Sequence, residues 1–186
     1  MANGRPARDH LLLDAVDALE CIPFNETVWR VVRDGRDPVQ GHPSGGRWDP
    51  GTFDVLYTAL EADGAIAEAY FHLSRQPVFP SKLTYRVHEL SAAADQTLHL
   101  ADMSALTRLG VEKARYSEIL YPRTQEIGDA AYFLGFDGIV APSARWDCLN
   151  AVLFIDRIAP ERINPLKSKK IGWDKWRAGA AKRSPR

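Results

Sequence analysis

The stretch Gly45-Gly46-Arg47-Trp48 is the most distinctive in this chain. Adjacent glycines allow left-handed or strained turns and let the main chain approach a ligand closely. The guanidinium group of arginine is the preferred bidentate partner of phosphate oxygens. These residues predict a turn in which Arg47 grips a phosphate group. An exposed turn that carries one charged residue fits them equally well.

The turn lies in a segment, residues 33–53, that has the composition of a loop. Its glycines and prolines are Gly35, Pro38, Gly41, Pro43, Gly45, Gly46, Pro50 and Gly51. Neither Gly-x-Gly-x-x-Gly nor Gly-Lys-Ser/Thr occurs, so the segment is neither a dinucleotide fingerprint nor a P-loop. Loops of this length inside a compact domain are usually functional or disordered.

Hydrophobic periodicity on both sides of the loop predicts a mixture of helices and strands. Helices are predicted over residues 9–20, 61–74, 102–110 and 122–134, and strands over 27–32, 54–58, 82–90, 138–141 and 151–155. Asp102 suits the N-cap of the third helix, and Pro122 and Gly135 suit the two ends of the fourth. Since no regular βαβ period appears, we expect an α+β fold.

Charge divides the chain into two parts. A length of 186 residues predicts one domain with tails. Residues 167–186 hold eight of the 24 lysines and arginines and one acidic residue, so this segment carries +7 and residues 1–166 carry −7. We therefore separate a body, residues 1–166, from a basic C-terminal tail, residues 167–186. The tail could be solvated, or bind nucleic acid, an acidic partner or the body itself, and Trp173 and Trp176 favour docking because exposed indoles are costly.

Cysteines and histidines form no metal-ligand pattern. Cys21 and Cys148 are isolated, which suits a reducing compartment, and the five histidines form neither HxxxH nor HExxH. No apolar run reaches the ~20 residues of a membrane helix. The N-terminus lacks the apolar run of a signal peptide. We therefore expect a cytoplasmic protein with no metal and no membrane segment.

Arg30 and Tyr57 lie on two of the predicted strands. Arg30 interrupts the apolar run Val28-Trp29-Arg30-Val31-Val32, where an arginine is seldom unpaired, so it should meet a carboxylate or an anionic ligand. Tyr57 ends its strand, where side chains often line a site. Its ring could stack on a flat heterocycle or belong to the core.

Glu68, Ser143 and Asn150 are the remaining candidates. Glu68 lies on the face of its helix opposite Ile66, where a solvated glutamate is the default, but its small and apolar neighbours would let a ligand or a second layer approach. Ser143 follows a predicted strand without a Gly-x-Ser-x-Gly elbow, so a serine hydrolase is a poor fit. It could orient a substrate or cap a turn, and Asn150 could fix the same loop.

In their order and spacing, these fragments together resemble the RES domain, a family named for an Arg, a Glu and a Ser. The resemblance covers most of residues 27–155. The matching positions are Arg30, Gly45 to Trp48, Tyr57, Glu68, Pro142-Ser143 and Asn150. Two positions depart from the family pattern: Asp49 stands where the family often has Asn, and the stretch after Asn150 lacks a second Asn.

The resemblance implies a fold similar to the bacterial ADP-ribosyltransferase toxins, with small antiparallel or mixed sheets and surrounding helices that form a cleft for NAD. It implies an enzyme that breaks the nicotinamide–ribose bond of NAD, a consumed substrate, and passes ADP-ribose to a target protein, phosphate or water. Such an enzyme would be a mono-ADP-ribosyltransferase, an NAD phosphorylase or a glycohydrolase. The resemblance makes Glu68, Arg47 and Ser143 catalytic, and it places NAD against Arg30, Arg47, Tyr57, Ser143 and Asn150.

The resemblance also implies the toxin half of a toxin–antitoxin pair, neutralised by a helical antitoxin whose end plugs the cleft. Nucleic acid would then be reached only through the antitoxin. Two other classes remain open. One is an interaction domain that does not turn over NAD, and the other is a nucleic-acid-binding module that uses the basic tail, although no nucleic-acid-binding signature occurs in the sequence.

Overall fold

Two long antiparallel strands, β1 (Cys21–Arg33) and β3 (Tyr85–His99), form the frame of the fold. A computed structural model describes residues 8–183 of the chain. The two strands pair along nearly their whole length. The N-terminal segment 1–7 and Arg186 of the basic tail lie outside the described residues.

Shorter elements surround this frame. They are α1 (His10–Asp17), β2 (Val55–Ala59), α2 (Ala62–Ser74), α3 (Met103–Arg108), α4 (Pro122–Leu134), β4 (Gly138–Pro142), β5 (Leu149–Phe154), β6 (Ile163–Lys170) and α5 (Trp173–Arg183). Among residues 8–183, no helix is long and apolar enough to span a membrane. The mixture of elements confirms the predicted α+β class.

The strands close into a ring. β2, β5 and β4 pair antiparallel, β4 joins β3 in parallel, and β6 lies along the other part of the same edge of β3. The ring is completed where β2 meets β1 at a single residue pair, Trp29↔Ala59. Because β1 and β2 pair at only one position, they diverge and leave a gap in the six-stranded sheet. The loop of residues 34–54 connects β1 to β2 beside this gap.

Apolar residues pack on both faces of the strands. On β5, Val152 and Phe154 join a large core with side chains from α1, α3 and α4, while Ala151 and Leu153 join a smaller core built mainly by strand residues. This alternation is the period of two that a strand buried on both faces produces. β5 is therefore held from both sides, which fixes the position of Asn150 at its start.

Local signals located the helices more accurately than the strands. The predicted caps of two helices are confirmed: Asp102 accepts a hydrogen bond from the amide of Ala105 at 2.8 Å, and Gly135 ends α4 with a left-handed φ of 96°. Strand β3, in contrast, continues nine residues beyond the predicted end at residue 90. The alanine-rich part of β3 has little intrinsic strand propensity, so its pairing with β1 decides its conformation.

The segment that we separated as a basic tail takes part in the fold. Residues 163–170 form β6 on the edge of β3, so the division at 166/167 falls inside this strand. Two tryptophans of α5 pack against Tyr70 of α2. The ring centre of Trp173 lies 6.0 Å from that of Tyr70, and the ring centre of Trp176 lies 5.6 Å from it. The tail therefore docks on the body of the protein, against α2, as Trp173 and Trp176 predicted.

Trp176 also joins α2 to the loop between β4 and β5. Its indole nitrogen donates a hydrogen bond to Asp63 of α2 at 2.9 Å, and its ring lies 6.2 Å from that of Trp146 in the loop. Helix α5 thus braces two separate parts of the fold against each other.

Gly128 marks the closest approach of α4 to the loop of residues 34–54. A Cβ atom at this position would overlap the carbonyl oxygen of Trp48, whose side chain is buried. We expect Gly128→Ala to lower the free energy of unfolding by about 2 kcal/mol, because the helix and the loop must separate. Urea denaturation measures this change. Gly172→Ala is the matched control, since a Cβ there meets no atom closer than 3.9 Å, and equal midpoints for the two variants would contradict the prediction.

Candidate functional site

A cleft of about 610 Å³ lies at the gap between β1 and β2. This volume is within the range of pockets that hold small molecules and cofactors. Five of the six predicted site residues line it, namely Arg30, Arg47, Tyr57, Glu68 and Asn150. Ser143, the sixth, reaches the cleft through a hydrogen bond to Glu68. The structure therefore brings all six together, although they come from separate strands, loops and one helix.

Glu68 is held in place by two side chains that bond to the same oxygen. The hydroxyl of Ser143 donates to Oε1 at 2.7 Å, and Nδ2 of Asn150 donates to Oε1 at 3.1 Å. Of the residues that the structure describes, none donates a hydrogen bond to Oε2. Glu68 therefore has one fixed oxygen and one that remains available to a ligand.

Ser143 is itself fixed by its own turn. Its hydroxyl oxygen accepts hydrogen bonds from the main-chain amides of Arg145, at 3.1 Å, and Trp146, at 3.3 Å. Since both amides donate to this oxygen, its single proton is directed to Glu68. Ser143 therefore caps its turn and also contacts Glu68 in the site.

Asn150 carries an acceptor that no protein group uses. Its Oδ1 is buried and has no hydrogen-bond partner among the described residues. Buried polar atoms are nearly always paired in folded proteins, so an unpaired one at a cleft indicates a place for a ligand donor.

Asp49 organises the Gly-Gly turn from inside. Its carboxylate is 0% exposed. It accepts hydrogen bonds from the amides of Ser44, Gly45, Gly46 and Gly51 and from the hydroxyls of Ser44 and Tyr57. Burial alone raises the pKa of Asp49, but these hydrogen bonds outweigh it and hold the pKa below its ordinary value. The turn is therefore built around a buried anion, a residue that the sequence analysis noted only as a departure from the family pattern.

Tyr57 uses its hydroxyl to support the same turn. It donates to Oδ2 of Asp49 at 2.9 Å and accepts from the amide of Trp48 at 2.9 Å. Burial and the nearby carboxylate of Asp49 raise the pKa of Tyr57 well above its ordinary value, so the hydroxyl stays protonated. A Cβ atom on Gly46 would lie 2.7 Å from this hydroxyl, which explains the glycine. The ring of Tyr57 lines the cleft, and its predicted stacking on a heterocycle stays a prediction.

Arg47 projects from the turn onto two aromatic rings. Its guanidinium lies 4.6 Å from the ring centre of Tyr116 and 4.8 Å from that of Tyr121. One nitrogen donates to the main-chain oxygen of Glu118 at 3.3 Å. Within residues 8–183 it makes no ion pair, so its charge remains available to an anion in the cleft.

Arg30 bonds to main-chain carbonyl groups, and its predicted contact with an anionic ligand stays a prediction. Instead of a carboxylate, its Nη1 contacts the main-chain oxygens of Pro38 and Gln40, both at 2.9 Å. Burial lowers the pKa of Arg30 to about 10, with Asp37 acting in the opposite direction, so the group is still charged at neutral pH. Arg30 therefore anchors the start of the 34–54 loop as well as lining the cleft.

The cleft lining also includes the side chains of His72, Arg75 and Arg145, which were not selected as site residues from the sequence. His72 and Arg75 follow Glu68 at i+4 and i+7 on one face of α2, and this spacing could have identified them. Arg145 gives no such signal, because its position depends on the conformation of the loop after β4.

His72 is neutral at physiological pH. Partial burial of its ring lowers the pKa of His72 below its ordinary value, Glu68 opposes this effect, and the nearby cations Arg145, Arg75 and Arg47 reinforce it. Since the ordinary pKa is ~6.5, a lower value leaves the ring uncharged at pH 7. The positive charge on this side of the cleft therefore comes from the arginines.

Metal binding and thiol chemistry find no support at this site. Within the described part of the chain, no three His, Cys, Asp or Glu side chains gather in a way that could hold a metal ion. Burial, together with the nearby carboxylates of Glu61 and Glu68, raises the pKa of Cys148 to about 12. This cysteine therefore remains a thiol, which is a poor nucleophile.

Comparisons with known proteins identify the family and the fold. Residues 27–174 match the family model of the RES domain, so the chain belongs to the RES domain family. It is similar to the NAD(+) phosphorylase MbcT of Mycobacterium tuberculosis and of Mycobacterium bovis, with 26% identity over 164 residues that span 84% of this chain and 88% of each relative. Its fold is also that of a chain in the crystal structure of the M. tuberculosis MbcT–MbcA toxin–antitoxin complex, with a TM-score of 0.83 and 24% identity over 94% of this chain and 100% of that one.

Proposed function

We propose that this chain is the toxin of a toxin–antitoxin pair and that it consumes NAD by breaking the nicotinamide–ribose bond. The observation that carries the proposal is Glu68, whose carboxylate lies in the cleft with one oxygen fixed and the other available. The relatives named NAD(+) phosphorylase and the structural similarity to a toxin–antitoxin complex support it. ADP-ribose passes to phosphate, to water or to a target protein.

Glu68 acts on the ribose. The ring nitrogen of nicotinamide is positively charged, so it leaves as a neutral molecule and takes the electron pair of the broken bond. The ribose then carries positive charge, as in glycoside cleavage. A carboxylate held in position before the reaction stabilises this charge without reorganisation. Ser143 and Asn150 supply that positioning through their bonds to Oε1.

The remaining residues bind and orient NAD. Arg47 pairs with the pyrophosphate, since its guanidinium is rigidly placed on Tyr116 and Tyr121 and has no ion-pair partner among the described residues. Tyr57 offers its ring to a heterocycle. These contacts hold the ribose where Glu68 can act, which lowers the barrier by orientation.

The partner in this proposal is a cognate antitoxin that covers the cleft. The cleft is open to solvent along the segment before α4, where Ile119 is 39% exposed and Leu120 is 49% exposed. An antitoxin segment that occupies the cleft excludes NAD. Added antitoxin should therefore inhibit nicotinamide release competitively with NAD, and inhibition that high NAD cannot relieve would point to a different surface.

Arg47→Ala should chiefly weaken the binding of NAD. A hydrogen bond to a charged group contributes about 1.5–3 kcal/mol, so we expect KM for NAD to rise about 10- to 100-fold with a smaller change in kcat. Steady-state kinetics of nicotinamide release measure both constants. Arg36→Ala is the matched control, because Arg36 is exposed in the turn after β1 and does not line the cleft. An unchanged KM for Arg47→Ala would remove this residue from the binding site.

Incubation of the purified protein with NAD, with and without phosphate, tests the proposal directly. Nicotinamide release shows the bond cleavage. Chromatography of the second product distinguishes ADP-ribose from its 1″-phosphate, and tagged NAD in a cell lysate detects a protein acceptor. If nicotinamide is not released and no protein is labelled, the chain is an interaction domain and the proposed chemistry is wrong.

A further inference from the structure

We infer that Arg75 and Arg145 form a second oxyanion site in the cleft, which binds the phosphate that accepts ADP-ribose. This inference rests on the proposed function. It concerns different groups from Arg47, whose guanidinium lies on two other aromatic rings, Tyr116 and Tyr121. The ligand of this site is a set of phosphoryl oxygens. Both free phosphate and the pyrophosphate of NAD carry such oxygens, and the experiment below distinguishes the two.

A single aromatic ring brings the two arginines together. The guanidinium carbon of Arg145 lies 3.3 Å from the centre of the Phe71 ring, and that of Arg75 lies 5.6 Å from it. Arg145 comes from the loop after β4, and Arg75 follows the end of α2, so the fold and not the local sequence brings Arg145 to the ring that Arg75 also contacts. A guanidinium that stacks on a ring keeps its N–H groups free at its edge, where they can bind oxygen.

Neither of these two charges has a carboxylate within ion-pair distance among the described residues. Across residues 8–183, neither guanidinium forms an ion pair or a side-chain hydrogen bond, while other arginines such as Arg115, Arg123 and Arg162 do. Glu68, the acidic residue that lines the cleft with them, has one oxygen committed to Ser143 and Asn150. Two like charges at one ring repel each other, and a shared anion relieves this repulsion.

The site lies beside the carboxylate that the proposed reaction uses. Arg75 is the residue directly after α2, seven positions after Glu68, and Arg145 is two residues from Ser143, which is bonded to Glu68. A phosphate held here is next to the ribose that Glu68 stabilises. An oxygen of the phosphate then forms a bond to C1′ of that ribose as the bond to nicotinamide breaks, and the bonding electrons leave with nicotinamide. The products are ADP-ribose 1″-phosphate and neutral nicotinamide.

Kinetics with two varied substrates test this assignment. We expect Arg145→Ala and Arg75→Ala to raise KM for inorganic phosphate about tenfold or more at saturating NAD, and to leave KM for NAD within about twofold. Arg145→Lys should recover part of the phosphate affinity, because it keeps the charge but loses the planar group. Arg36→Ala is the control, and thermal unfolding shows whether each variant is folded.

The other outcomes overturn the assignment. If the two variants raise KM for NAD and not for phosphate, the arginines bind the pyrophosphate. If the wild-type protein releases nicotinamide in a Glu68-dependent way with no effect of phosphate, the second site is wrong while the proposed bond cleavage stands. Calorimetric titration of Glu68→Gln with inorganic phosphate gives a readout independent of turnover. Equal affinity in that variant with and without Arg145→Ala would also refute the site.

Discussion

Replacement of Glu68 by glutamine is expected to abolish nicotinamide release while leaving the fold intact. Glutamine keeps an oxygen that can accept the hydrogen bonds from Ser143 and Asn150, so the geometry of the site is preserved. What it loses is the negative charge that faces the developing positive charge of the ribose. The removal of one preorganised electrostatic group lowers kcat about 100- to 1,000-fold. The measurement is single-turnover nicotinamide release at saturating NAD.

Glu61→Gln is the matched control for this experiment. Glu61 is an exposed carboxylate at the start of the same helix, makes no side-chain cap bond, and does not line the cleft. We expect the turnover of this variant to equal that of the wild type. Circular dichroism and the thermal midpoint confirm that both variants fold. Wild-type turnover in Glu68→Gln would eliminate the mechanism, whatever the control shows.

Replacement of Asp49 by alanine is expected to produce the largest loss of stability. The substitution leaves four amides and two hydroxyls without their acceptor in hydrogen bonds that are partly buried. Since each unsatisfied buried donor costs about 1–3 kcal/mol and water will reach some of them, we expect a loss of about 3 kcal/mol or more in the free energy of unfolding. KM for NAD should rise as well, because the turn that carries Arg47 loses its support. Urea denaturation and steady-state kinetics test the two effects.

The pH dependence of stability gives an independent test of Asp49. The pKa of Asp49 is lower in the folded protein than in the unfolded chain, where it is ~3.9. The carboxylate therefore stabilises the fold at pH values above ~3.9, and this contribution is lost as the pH falls through the folded pKa. Asp49→Asn should be less stable than the wild type at pH 7 and should lose less stability on acidification below pH ~4. A constant difference between the two proteins from pH 7 to pH 3 would show that Asp49 is not a stabilising anion.

The parts of the fold that the sequence predicted well are those fixed by local chemistry. Pro122 and Gly135 determine the ends of α4 through backbone restriction and left-handed φ, and both effects act within a few residues. The second half of β3 and the ring of strands depend on pairing between distant segments. No window of the sequence contains that information, so these features could not be predicted.

The same distinction applies to the site. Arg47 and its glycines could be selected from residue chemistry alone. Helical periodicity predicts a solvent-facing position for Glu68. In the structure, the loop after β4 and the start of β5 pack against this face of α2, so that Glu68 lies in the cleft. Asp49 could not be identified as an anchor, since five of its six donors come from a turn whose shape the carboxylate itself stabilises and the sixth is the hydroxyl of Tyr57 on β2.

The bracing role of Trp176 has a consequence for the order in which the protein is made. A ribosome synthesises Arg30 through Asn150 before it reaches α5, so every candidate site residue leaves the exit tunnel before the helix that joins α2 to the Ser143 loop. During translation the cleft therefore lacks its brace until the last helix has emerged. Under the proposed function, in which the protein consumes NAD and has a cognate antitoxin, this delay separates synthesis from activity and gives the antitoxin time to bind.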